Sequence, residues 1–277
     1  MRIGYLGPKG TFTQQAAWMI AELESDKPGS AKPEITEFLS IQDAMDATAV
    51  GEIDACVVPF ENSTEGIVNV TMDSLLFDHV DLYIQRLTTL KVSQCLMGLG
   101  TDREIKKIVS HQQSLAQCRK FLRERYPDIL QEAVPSNGEA ARLASVDSGI
   151  LAIGPVIAAQ MHGLKLIQEG IQDEKVNETT FVVLGLKETG VYGERSKTAI
   201  TYGVPNKPGA LVRAISVFDK HSINMTKIIS RPMKGKPGEY VFYVELEDCD
   251  SINLEEALRE IESKTSFFRH LGSFPYN

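Results

Sequence analysis

At 277 residues the chain exceeds what one hydrophobic core comfortably spans, so two domains are expected. With 43% hydrophobic and 24% charged residues it has the composition of a folded globular protein, which excludes a largely disordered chain. A net charge of -8 with no clustered basic face disfavours nucleic acid as a partner, because phosphate neutralisation needs such a face.

Arg2 to Leu6 reads as a strand with no long apolar leader before it, and no apolar run reaches membrane-spanning length. A cytoplasmic chain without a membrane partner is expected. The turn Gly7-Pro8-Lys9-Gly10 follows, with Thr11 or Thr13 as N-cap of a helix over 14–24. Such a turn either offers backbone N–H groups to an anion or is simply tight. A loop over 25–33 leads to a strand at 34–39 and a helix at 40–50 with Ser40 as N-cap, ended by Gly51.

The run Asp54 to Val58 predicts a buried parallel strand, and Pro59-Phe60-Glu61-Asn62-Ser63-Thr64-Glu65-Gly66 follows it as a polar loop. Open α/β sheets place ligands at the C-terminal ends of strands, and Gly66 lets backbone approach a ligand. The alternative is a solvated turn capping the next helix. A helix over 71–77 and a nearly unbroken strand over 80–99, bent near Leu90, then carry the chain into a second lobe.

A strand at 106–109 ends in Ser110-His111-Gln112-Gln113-Ser114 before a helix over 115–125. Ser136-Asn137-Gly138-Glu139 starts a helix at 140–146, and 148–153 is a strand. The chain crosses back near 171–176, so that Thr180 to Leu184 completes the first sheet. Between them, Asn177-Glu178-Thr179-Thr180-Phe181 offers an amide, two hydroxyls and a ring to a polar substrate, or else two β-formers entering a strand. His111 stands without a Ser–His–Asp order or a partner at metal spacing, so it reads as structural and no metal is expected. The four cysteines, Cys56, Cys95, Cys118 and Cys249, are scattered without a C-x-x-C pair, and three of them, in apolar contexts, read as packing residues.

After a linker over 187–196 the pattern becomes strand 198–204, helix to His221, strands 224–230 and 240–247, helix 253–263 and strand 267–274. This βαββαβ order is the ferredoxin-like unit, which pairs readily with another copy and here offers no nucleophile or base, so binding or regulation is expected of it.

Taken together and in order, Gly7-Pro8-Lys9-Gly10-Thr11-Phe12-Thr13, Val58 to Gly66, Val109-Ser110-His111 with Ala116-Gln117-Cys118, and Asn177 to Phe181 resemble the prephenate dehydratase family. Pro208-Gly209-Ala210-Leu211 and Ser230-Arg231-Pro232 resemble the ACT regulatory domain. The resemblance implies an α/β fold: a two-lobe, type II periplasmic-binding-protein-like catalytic domain over 1–186 with its second lobe near 78–170, a linker over 187–196, and an ACT domain over 197–277. It implies a carbon–oxygen lyase that turns prephenate into phenylpyruvate without a cofactor, with L-phenylalanine as feedback effector and assembly into a homodimer or homotetramer. It implies Thr179 as catalytic residue, with Thr11, Asn62, Ser63, Glu65, Gly66, Ser110, Gln117, Thr180 and Phe181 binding substrate. Glu61 either faces the pocket or caps a helix. Gly209, Ala210, Leu211, Ser230, Arg231 and Pro232 would bind phenylalanine.

Two positions depart from the family pattern. Thr180 stands where the family has an arginine, so a bidentate partner for a substrate carboxylate is replaced, with Lys9 and Lys175 as candidate cations. Ile229 stands where the family often has glutamate. Two further readings remain: arogenate in place of prephenate, and a non-catalytic amino-acid sensor.

Overall fold

The computed structural model describes residues 1–29, 31–100, 104–236, 238–247 and 250–276. In the first part of the chain the elements are β1 (Arg2–Leu6), α1 (Phe12–Ser25), β2 (Glu34–Phe38), α2 (Ile41–Ala49), β3 (Ala55–Asn62) and β4 (Gly66–Ile67). Next comes α3 (Asn69–Asp73), which runs into a π-helical turn at Ser74–Asp78, and β5 (Tyr83–Lys91). A second group holds β6 (Cys95–Gly98), β7 (Lys107–Ser110), α4 (Gln112–Gln117), α5 (Arg119–Arg125), β8 (Leu130–Ala133), α6 (Asn137–Val146), β9 (Ile150–Gly154), α7 (Val156–His162) and β10 (Lys165–Gln168). The chain ends with β11 (Glu178–Gly185), β12 (Ser196–Val204), α8 (Ala210–Lys220), β13 (Asn224–Pro232), β14 (Tyr240–Glu247), α9 (Ser251–Lys264) and β15 (Phe267–Pro275).

Local chemistry starts the helices. The Thr11 hydroxyl accepts from Gln14 N, Ser40 Oγ from Asp43 N and Ser136 Oγ from Glu139 N, each satisfying a first-turn donor that has no partner within its helix. The strands assemble into three sheets: β2-β1-β3-β11-β5 with β4 on β3, then β10-β6-β9-β7-β8, and finally β13-β14-β12-β15. Parallel pairing joins β1 to β2 and β7 to both β8 and β9, whereas β6 is antiparallel to β9 and β10, so the second sheet is mixed.

Predicted elements differ from those observed in several places; the helix expected over 115–125, for instance, is two, α4 and α5, meeting at Cys118. The stretch 80–99 is two strands in different sheets, interrupted at 92–94, where Gln94 N donates to the Gln172 side chain instead of to a ladder. The polar segment after Val58 is not wholly a loop: β3 continues through Pro59, Phe60 and Glu61 to Asn62, and turns only at 63–65. Val68 N donates to Phe60 O and the Thr71 hydroxyl to Pro59 O, which holds the following segment against the strand.

The chain packs as two compact units, Met1–Ala44 with Cys56–Thr71 and Thr89–Phe181, and Met45–Ala55 with Met72–Thr88 and Val182–Asn277. In the first, the two-residue period of the second sheet sorts its side chains cleanly. Cys95, Met97, Val109, Ile150 and Ala152 meet the alanines of α6 and α7, while Leu96, Ile108, Leu151 and Ile153 meet Cys118 and Leu122. Alanines let α6 lie close to the sheet. Burial raises the pKa of the Cys95 thiol and pushes that of Cys118 up to about 12, which keeps both protonated and unreactive. Cys56 is also buried, and Cys249 lies outside the described residues.

In the second unit, β12 to β15 form an antiparallel sheet, one face of which is covered by α8 and α9 through Ile200, Tyr202, Val244, Leu246, Val217, Phe218, Leu254 and Ile261. The segment Met72–Thr88 belongs to this unit too. Arg231 on β13 grips Asp73 through two hydrogen bonds of 2.7 and 2.6 Å, a bidentate fork. The Arg269 guanidinium on β15 donates to the carbonyls of Leu75, His79 and Leu82, closing the π turn from its C-terminal side, and burial brings its pKa down to about 10. Glu245, fully buried on β14, is held by Lys197 at 2.9 Å and by the Tyr243 hydroxyl at 3.0 Å.

Candidate active site

The polar side chains of the first unit converge on Asn62, at the end of β3 and 8% exposed. Its Oδ1 accepts from Thr64 N, Thr64 Oγ1 and Glu65 N. Two of those donors are backbone N–H groups, so the oxygen must face the turn and the amide nitrogen must face β11. There Nδ2 donates to Asn177 Oδ1 at 2.9 Å, Glu178 O at 3.2 Å and Thr179 Oγ1 at 2.9 Å. Ser63 adds two more links, from its N–H to Glu178 O and from Glu178 N to its hydroxyl. One buried amide thus ties the turn after β3 to the start of β11. Because Thr179 Oγ1 receives a hydrogen bond from Asn62, its own proton is left to be donated elsewhere.

Beside this hub lies a cavity of about 570 Å³. Thr64, Glu65 and Asn177 line it together with His111, Gln113 and Gln117 of α4 and its N-cap. Gln113 Nε2 hydrogen-bonds Glu65 Oε1, so that carboxylate is held by α4. His111 caps α4, its Nδ1 accepting from Gln113 N at 3.4 Å, which is the structural role its isolation predicted. Lys120 lines the same cavity, while Lys9 and Lys175 are not among the lining residues.

Other predicted site residues are engaged locally. The Thr11 hydroxyl donates to Pro8 O, and Gly10 N donates to the Gln14 side chain at 2.7 Å, so the turn after β1 spends these groups on its own helix. Ser110 is fully buried with its hydroxyl on Ile153 O at 2.7 Å. Phe181 is 1% exposed, at the start of the stretch of β11 that is buried throughout, and it is not among the residues lining the cavity. Gly66 has φ +83°, which suits glycine at the tight return into β4. Thr180 Oγ1 lies 3.1 Å from Thr89 Oγ1, a neutral pair at the position where the resemblance leads one to expect an arginine.

Sequence reasoning missed Gln94, Ser114 and Asn137. Gln94 Nε2 donates to Ser114 Oγ at 3.1 Å and to Gln117 Oε1 at 3.0 Å, and Asn137 Nδ2 donates to Ser114 Oγ at 2.9 Å. The one available signal was a polar residue inside an apolar run, Gln94 between Val92 and Cys95.

In the second unit, Ala210 and Leu211 line a smaller cavity of about 140 Å³ with Asn206, Lys207, Tyr240 and Phe242. Gly209, with φ +75°, starts α8. Ser230 and Pro232 share β13 with Arg231, whose guanidinium is on Asp73. Among the described residues there is no group of three or more potential metal ligands, and no helix is long and apolar enough to cross a membrane.

The family model described as prephenate dehydratase matches residues 3–189, and the one described as ACT domain matches residues 198–263. The chain is similar to the bifunctional chorismate mutase/prephenate dehydratase of Aquifex aeolicus, 36% identical over 99% of this chain and 74% of that one. It is similar also to the prephenate dehydratase of Lactococcus lactis subsp. cremoris, 35% identical over 99% and 97%. The crystal structure of the Arthrobacter aurescens prephenate dehydratase in complex with L-Phe superposes with a TM-score of 0.81, at 28% identity, covering 99% of this chain and 90% of that one. From these matches and the two sheets, ferredoxin-like C-terminal unit and ordered motifs described above, the chain belongs to the prephenate dehydratase family of lyases, with a C-terminal ACT domain.

Proposed function

We propose that this chain converts prephenate to phenylpyruvate, water and carbon dioxide, and that phenylalanine regulates it through the ACT domain. In the reaction the C–C bond to the ring carboxylate breaks, its electron pair enters the ring to make it aromatic, and the ring hydroxyl leaves as water after gaining one proton. The observation that carries this reading is the Asn62–Thr179 pair, in which the Thr179 hydroxyl accepts from Asn62 and keeps its proton for the departing oxygen. Carboxylates of the substrate would be met by the Gln117 amide, with Lys120 in place of the missing arginine, since it is the lysine that lines the cavity. We assign no direct substrate contact to Phe181 or Ser110, whose side chains are buried and engaged.

The reading includes a division into a catalytic domain over 1–186, a linker over 187–196 and a regulatory domain over 197–277, in a cytoplasmic homodimer or homotetramer. The outer edge of β13, at one end of its sheet, suits pairing with a second copy. The test is phenylpyruvate formation from prephenate by purified protein, with arogenate in parallel. Turnover of prephenate, suppressed by phenylalanine, is expected. Preference for arogenate would change the substrate, and a folded protein that binds phenylalanine without turning over either compound would be a sensor.

For the effector, Ala210 and Leu211 at the small cavity, with Gly209 just before them at the start of α8, would receive phenylalanine, with Ser230, Arg231 and Pro232 nearby in sequence to one another on β13. An Arg231 guanidinium already paired with Asp73 has to leave that carboxylate before it can meet another. Asp73→Asn removes the competing charge while keeping the shape, so half-inhibition is expected at about tenfold lower phenylalanine, the worth of one charge-assisted contact. An unchanged dose response would remove Arg231 from the effector site.

A further inference from the structure

Gln94 lines no part of the large cavity, yet it is 2% exposed and stands where both crossings of the chain meet α4. Its backbone N–H takes Gln172 Oε1 at 3.0 Å and its carbonyl takes Ile171 N at 3.0 Å, which fixes the residue from both sides. Both N–H bonds of its side-chain amide are used, one on Ser114 Oγ and one on Gln117 Oε1, while its Oε1 has no hydrogen-bond partner among the described residues. The reverse orientation would strand two buried donors in place of one acceptor, a larger cost. Nothing in the established chemistry of the site uses this residue.

We propose that Gln94 is a positioning residue that sets the direction of the Gln117 amide. With Oε1 of Gln117 turned to Gln94, the end of the amide left to face the cavity that Gln117 lines is its NH2, a pair of N–H donors. A carboxylate is met by donors and repelled by a carbonyl, so the orientation decides whether the cavity accepts an anion. Asp173 N, bonded to Gln117 O at 2.6 Å, anchors the same residue's backbone, which leaves the side-chain direction to Gln94. Ser114 is brought into the arrangement as well. Its oxygen accepts from both Gln94 and Asn137, so it too can act only as a donor.

This inference rests on reading the cavity as the site of a carboxylate substrate, prephenate. The test is a double-mutant cycle of Gln94→Met and Gln117→Met on the full chain, with steady-state turnover of prephenate as readout. Gln94→Met alone is expected to raise KM about tenfold with kcat within about threefold, and to add nothing in the Gln117→Met background. A purely structural role would give additive losses in both backgrounds and would overturn the proposal. Gln94→Glu keeps the shape but presents only acceptors when ionised, which turns the Gln117 carbonyl toward the cavity; a KM rise at least as large is expected. This variant decides the matter should Gln94→Met not fold, and a wild-type KM in it overturns the proposal. Wild-type protein that neither binds nor turns over prephenate overturns the reading of the cavity, and this inference with it. Wild-type turnover with unaffected Gln94 variants overturns this inference alone.

Discussion

Replacing Thr179 by valine is expected to lower kcat for prephenate by about 100- to 10,000-fold, the range that one positioned proton donor contributes. Valine copies the branched shape and the β-preference of threonine, so β11 should keep its place in the sheet. What is lost is the hydroxyl that accepts from Asn62 Nδ2. That amide retains Asn177 Oδ1 and Glu178 O, so the hub is weakened by one bond of about 1 kcal/mol and not dismantled. KM and phenylalanine binding should therefore move little while kcat falls. Steady-state kinetics beside a calorimetric titration with phenylalanine separates the two, and a kcat within threefold of wild type would take the proton-donating role away from Thr179.

Gly138→Ala is expected to lower the melting temperature by roughly 2–4 °C for each kcal/mol of an overpacking cost of about 1–3 kcal/mol. The argument is steric. A Cβ at this position in α6 would stand 1.9 Å from the carbonyl oxygen of Lys9, backbone that cannot swing aside as a flexible side chain would. On helix propensity alone, alanine would be preferred by about 1 kcal/mol, so a naive reading predicts stabilisation. The contact reverses the sign. Relief comes only if the turn over 7–10 withdraws from α6, and Gly10, whose own Cβ would meet Gly138 Cα at 3.1 Å, has little room to do so. Thermal unfolding followed by calorimetry checks the effect, and an unchanged or higher midpoint would refute the close approach.

How much of this was legible in the chain depended on range. The caps at Thr11 and Ser40 are local chemistry, a short hydroxyl side chain reaching a donor three residues on, and were legible; Ser136 caps in the same way, three residues before the start expected for its helix. The strands β12 and β14 were legible as short apolar, β-branched and aromatic runs, and both are buried almost throughout. Short edge elements carried no such signal: β8 has all four residues exposed, so it has no apolar face to read, and α7 and β10 are seven and four residues long. Pro59 made a strand look like a loop, because its missing N–H argues against a ladder and says nothing of the Thr71 hydroxyl that claims its carbonyl. In the site, Asn62 and Thr179 were recognisable as polar groups beside apolar strands, but their bond spans 117 positions and no local rule encodes it. The bond between Gln94 and Ser114, 20 positions apart, was invisible for the same reason.

The grip of Arg231 and Arg269 on the segment 72–88 bears on how such chains can be recombined during evolution. A gene fusion that joined a new C-terminal module after β11 would leave behind the Asp73 carboxylate that Arg231 grips and the carbonyls of Leu75, His79 and Leu82 that Arg269 satisfies. Exchange at that seam is therefore constrained to modules that bring their own matching sheet face and arginines, so the two halves of this lineage are expected to have diverged as a pair and to resist shuffling.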